Sequence, residues 1–148
     1  IAAFFSAILL YILGRVSKPE HRLTIYFVGC ILFVIGAAFN ALLYSSLGVI
    51  LFILCLVFAR PLLDIAYFPI QLKVIDIVAA KEGRNEFSYI LNHEFGLYVG
   101  RLFGCGLFIL LARYVSEYVA LRYALLFIAV IHLGGAFMAQ SISRKIKI

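Results

Sequence analysis

The sequence predicts an all-α membrane protein: a polytopic bundle of about five transmembrane helices, the first of them truncated. Three observations predict it. Hydrophobic residues make up 66% of the 148 positions and charged residues only 14%, whereas a soluble domain is roughly half apolar and a quarter charged. The apolar residues fall in runs of about twenty, the length that crosses a hydrocarbon core about 30 Å thick. The basic residues sit mainly between those runs, the pattern that orients membrane helices. A greasy soluble core would still leave each helix a polar face, and the long runs here have none.

Taken in order, residues 1–13 form the first apolar run, shorter than the roughly 20 residues a span needs. The run begins at Ile1 without a methionine and lacks the basic region and small-residue cleavage site of a signal peptide. The expectation is a cut spanning helix, with the chain as the C-terminal part of a longer protein. Residues 14–22, with Lys18 and Pro19, read as a short polar loop. Span two covers 23–43, with Tyr26 and Tyr44 near its ends, where amphipathic rings prefer the interface. Residues 44–48 read as a tight, uncharged turn. Span three begins near Leu47 and is clean as far as Arg60. Pro61 and Pro69 each remove a backbone donor, which predicts a kink or break there. The mixed segment 71–86 fits a short amphipathic helix at the membrane surface or the frayed end of span three, with its last residues, 81–86, as a solvated loop. Span four starts between Phe87 and Phe95 and ends near Ala112. Residues 113–122 form a connector, and span five covers 123–139 before a small basic tail. The chain reads as a single transmembrane domain.

Charge sets the predicted orientation. Arg15, Lys18 and Arg22, then Lys73, Lys81 and Arg84, then Arg144, Lys145 and Lys147 fall on one side of the membrane. Only Arg113 and Arg122 fall on the other. The excess of nine to two places the first group, and the C-terminus, in the cytoplasm. A bacterial inner membrane is the expected location. The net charge of +6 is thereby accounted for, and the aromatic-basic interleaving of single-strand binders is missing, so no nucleic acid partner is expected. Cys30, Cys55 and Cys105 lie in three different apolar runs without metal-type spacing and read as buried thiols. No cofactor and no metal site is expected.

The stretch 92–106 departs from plain apolar sequence. It holds His93, Glu94 and Arg101, and ionisable groups at membrane depth are costly and usually face a bundle interior. Glu94 and Arg101 are seven apart and share a helix face, with Tyr98 and Cys105 near them. Gly96, Gly100 and Gly104 recur every four residues and make a smooth stripe that lets another helix backbone come close. A straight helix separates Glu94 from Arg101 by about 10 Å along its axis, so each can instead meet Arg60 or Asp64. Those two are four apart on one face of span three. Both pairs admit two readings: charge networks that fix helix packing, or residues lining a solute and ion pathway. Asp76 reads as a solvated or capping residue, or as a gate latch to the basic loop holding Arg15, Lys18 and Arg22. His132, deep in span five, reads as a core histidine. His93 and His132 fall at different depths, which argues against a metal site built from them with Glu94. There is no HExxH, no P-loop and no GxSxG, so the chain is not read as an enzyme.

The order of a short basic inside loop, a tight outside turn, a longer inside loop and two further spans resembles the C-terminal half of a major facilitator superfamily transporter. On that likeness the five spans correspond to the last five of about a dozen helices arranged in two repeated halves. Residues 14–22 fall where the family has its Gly-x-x-x-Asp-Arg-x-Gly-Arg loop and keep its basic character without the Asp. The Glu94 to Gly100-Arg101 stretch is similar to the Glu…Gly-Arg start of the penultimate helix in some bacterial members. The resemblance implies a secondary transporter moving a small solute by alternating access, coupled to protons or sodium, with the lipid bilayer and an N-terminal half of the same transporter as partners. It implies Arg60, Asp64, Glu94 and Arg101 as pathway residues. The competing expectation is a non-transporting integral membrane subunit or assembly factor, whose signature is an unpaired apolar face without a polar cavity.

Overall fold

The computed structural model describes residues 2–16 and 21–146, and all regular structure among them is helical. Five helices follow one another: α1 (Ala2–Val16), α2 (Arg22–Leu43), α3 (Ser46–Glu82), α4 (Glu86–Tyr114) and α5 (Glu117–Ile146). By length and composition α2, α3, α4 and the Glu117–Ser141 part of α5 are long and apolar enough to cross a membrane, while α1 is a shorter apolar helix.

Of the kink or break expected in span three, the break does not occur. Helix α3 runs for 37 residues through Pro61 and Pro69 to Glu82, so residues 71–82 are the end of span three, the second of the two expectations, and not a separate surface helix. The reason is a balance of backbone hydrogen bonds. Each proline costs one i→i−4 bond, whereas a break orphans about four N–H and four C=O groups with no water in the bilayer core to satisfy them. The other connectors are also shorter than expected. The corner between α2 and α3 is Tyr44 and Ser45, and that between α4 and α5 is Val115 and Ser116. Gly14, Arg15 and Arg22 are helical, not loop. Lys18 lies outside the described residues.

The chain divides into two compact units, Ile1–Tyr67 with Arg122–Ile148, and Phe68–Leu121. In the first, Tyr26, Cys30, Ala66 and Ala136 are buried together, with Ile25, Phe27, Leu63, Tyr67, Leu133 and Ala139 packed around them. Small residues let the helices approach. A Cβ built on Gly36 would lie 2.7 Å from the Cβ of Cys55, and one on Gly29 would lie 3.0 Å from Leu63. With lipid on the outside there is no hydrophobic gain from helix association, and close van der Waals contact takes its place. Helix α2 ends on Tyr44, whose left-handed backbone (φ 35°, ψ 53°) turns its N–H onto the Asn40 carbonyl. The Ser45 hydroxyl then accepts from the Gly48 N–H at 3.4 Å and opens α3.

In the second unit Gly83 takes a left-handed φ of 65°, and the Arg84 N–H reaches the Ala79 carbonyl at 3.2 Å. This is the Schellman stop that glycine favours. Asn85 starts α4 by accepting from the Phe87 N–H at 3.0 Å, with Glu86 in the first turn facing the positive end of the helix dipole. The Tyr89 hydroxyl donates to the Glu82 carboxylate across this corner. The Ser116 hydroxyl accepts from Tyr118 N–H at 3.2 Å and caps the start of α5. No residue of α4 is buried.

Candidate pathway residues

Helix α4 presents Glu94 and Arg101 exposed on its surface. Ser88, Leu91, Asn92, Glu94, Phe95 and Tyr98 line an open hollow of about 530 Å³ along the helix. Glu94 is its single charged residue, and Arg101 is not part of its lining. A Cβ on Gly96, Gly100 or Gly104 would meet nothing within 4 Å, so in the described residues the glycine stripe faces open space. On α3, in the first unit, Arg60 is exposed and Asp64 half-buried, with the fully buried Pro61 between them. Among the described residues no ion pair joins Arg60 to Asp64 or Glu94 to Arg101. Asp76 is exposed on the later part of α3. Arg15 is exposed and its guanidinium donates to the Tyr11 hydroxyl at 3.4 Å, while Arg22 is half-buried at the start of α2. Among the described residues no three His, Cys, Asp or Glu groups stand close enough to hold a metal ion.

Two arrangements in the first unit escape a reading of the sequence alone. The first is Arg122, which falls in the predicted connector. It is part of α5. Its Nε donates to the Ala41 carbonyl at 2.6 Å, in the last turn of α2, where carbonyls lack helical partners. Its guanidinium lies 5.9 Å from the Tyr44 ring and 5.4 Å from the Tyr123 ring, within cation–π reach. Loss of helix periodicity at a presumed loop hides such a contact. The second is His132. Its ring lies 6.3 Å from Tyr26 and 6.1 Å from Phe33, and Tyr26 stacks on Tyr67 at 6.2 Å. It is exposed, not enclosed as the sequence suggests. Its place in an apolar run gave no hint of which face it occupies.

No protein-family model, no curated protein and no solved structure matches the chain.

Proposed function

We propose that this chain is part of a secondary active transporter that moves a small solute across a membrane by alternating access, coupled to protons or sodium. The observation that carries the reading is the placing of Glu94 and Arg101 seven apart on a helix that is long and apolar enough to span a bilayer. Charge at that depth is expensive and is retained where it faces a polar pathway. Arg60 and Asp64 are the corresponding pair on α3, and Asp76, and separately Arg15 and Arg22, are assigned to the cytoplasmic side. Gly96, Gly100 and Gly104 supply the smooth surface against which an N-terminal half of the transporter slides. In this reading the C-terminus is cytoplasmic, the membrane is a bacterial inner membrane, and the protein transports without catalysing a reaction.

The test uses proteoliposomes holding a pH-sensitive dye and challenged with a panel of small solutes. Glu94→Gln and Arg101→Ala are expected to abolish solute-driven dye response while inserting normally, and Gly100→Leu to impair it. Normal responses in both charge variants would return these residues to a packing role.

A second reading has one observation in its favour. That no residue of α4 is buried leaves apolar surface on that helix for a partner, as in a non-transporting subunit or assembly factor. Solute flux by the purified protein separates the two, since a subunit gives none.

A further inference from the structure

The sites assigned above leave His132 unused, and its position is difficult to reconcile with a packing role. It lies near the middle of the Glu117–Ser141 span, and its ring contacts with Tyr26 and Phe33 bracket it between the fifth and the twelfth residue of α2 (Arg22–Leu43), inside that span. On α5 the buried stripe is marked by Ala129 and Ala136. With 3.6 residues per turn His132 stands about 50° to one side of that stripe, at the edge of the packed face and not on the outer one. Ile131, on the opposite side of α5, is 59% exposed.

The surroundings come from three helices. Tyr26 and Phe33 of α2 flank the imidazole, Tyr67 of α3 stacks behind Tyr26, and the Cys30 thiol points at the His132 carbonyl at 4.0 Å. Tyr26 and Cys30 are buried, whereas His132 is open. Among the described residues neither the His132 imidazole nor the Tyr26 hydroxyl makes a hydrogen bond. An imidazole always carries at least one N–H donor, and when neutral one acceptor as well. Left toward hydrocarbon, such a group costs several kcal/mol. A lipid-facing position is therefore the expensive one, and a polar medium at mid-depth removes the cost.

We infer that His132 faces a water-filled pathway within the first unit, and that with Tyr26 it forms a contact point for an uncharged hydrogen-bonding group of a solute. An imidazole set between the Tyr26 and Phe33 rings suits a polar group carried on an apolar or planar body. This rests on the membrane-spanning transport reading but uses none of its residues.

The test reads water access, not transport. With Cys30, Cys55 and Cys105 replaced by alanine or serine, His132→Cys and Ile131→Cys are compared in native membranes for reaction with a membrane-impermeant maleimide. Maleimides react with the thiolate, which forms in water and not in hydrocarbon, so His132→Cys is expected to label about ten-fold or more faster than Ile131→Cys. In the unaltered protein, diethyl pyrocarbonate added to the same membranes should modify His132, read at the peptide level by mass spectrometry, which covers the case of a variant that fails to fold. Labelling of His132→Cys only by a lipid-soluble maleimide, or by neither reagent, with His132 of the native chain unmodified, would overturn the inference. Water access at His132 with normal transport by the Glu94 and Arg101 variants would leave this pathway standing and remove the one assigned to α4.

Discussion

At Gly36 a single hydrogen in place of a methyl sets how close two helices come. A Cβ there would sit 2.7 Å from the Cβ of Cys55, a backbone-anchored atom that cannot swing away. Gly36→Leu must push α2 from α3, and overpacking of this kind costs about 1–3 kcal/mol. Gly134 is the control, because a Cβ on it meets nothing within 4 Å. Gly134→Ala is expected to gain up to about 1 kcal/mol of helix propensity. Unfolding midpoints in detergent should move in opposite directions for the two variants, and a shared direction would mean that α2 and α3 do not meet at Gly36. The sequence advertises Gly96, Gly100 and Gly104, whose spacing of four draws the eye. It conceals Gly29 and Gly36, which are seven apart and become a seam only when α3 supplies Leu62, Leu63 and Cys55 opposite them. Spacing identifies a smooth face on one helix, while the partner that fills it is a property of the fold.

Among the elements, the boundaries of α2 and α4 were legible, and those of α3 and α5 were not. Helices α2 and α4 begin and end within a few residues of the runs that hydropathy marks out. Pro61 and Pro69 argue for a break by a rule calibrated in water, where an exposed helix end is solvated at little cost. That compensation is missing in lipid, so α3 continues. The same reasoning applies to Arg122. It could be read as part of a connector because charge usually marks the end of a span, yet it belongs to α5 and ties it to the last turn of α2. Arg122→Lys keeps the charge and loses the Nε donor to the Ala41 carbonyl. It is expected to lower stability by about 1–3 kcal/mol, as hydrogen bonds from charged groups do. Thermal unfolding in detergent measures this, and an unchanged midpoint would show that the contact carries no stability.

For the molecule as a whole, the excess of basic residues on one side predicts an orientation that the length of α3 makes testable. Thirty-seven residues at about 1.5 Å each give a helix path of roughly 55 Å, well beyond a hydrocarbon core of about 30 Å. The Glu82 end of α3, with exposed Lys81 and Arg84 beside it, is therefore expected to stand in water on the cytoplasmic side. Trypsin should cut at Lys81 or Arg84 in inverted membrane vesicles and leave those two sites uncut in right-side-out vesicles. Cleavage at Lys81 or Arg84 in right-side-out vesicles alone would reverse the orientation. A helical membrane class and the four long apolar helices were legible in the sequence, because each depends on residue properties summed along a run. The Arg122 tie and the His132 surroundings were not, because each depends on which faces of three helices meet.

The two-residue corner at Tyr44 and Ser45 also bears on how the protein is made. It carries no charge, and Gly48 just beyond it packs so tightly that a Cβ there would lie 3.1 Å from the Phe39 carbonyl oxygen. Helices α2 and α3 are thus neighbours in sequence, joined without slack and seated against each other at Gly29, Gly36 and Gly48. During synthesis such a pair can leave the ribosome and enter the bilayer as one hairpin. No hydrophilic segment has to be carried across, and contacts this local in sequence form early. Within the first unit this hairpin is then a ready platform, to which α5 is added once its Arg122 has emerged to reach the end of α2.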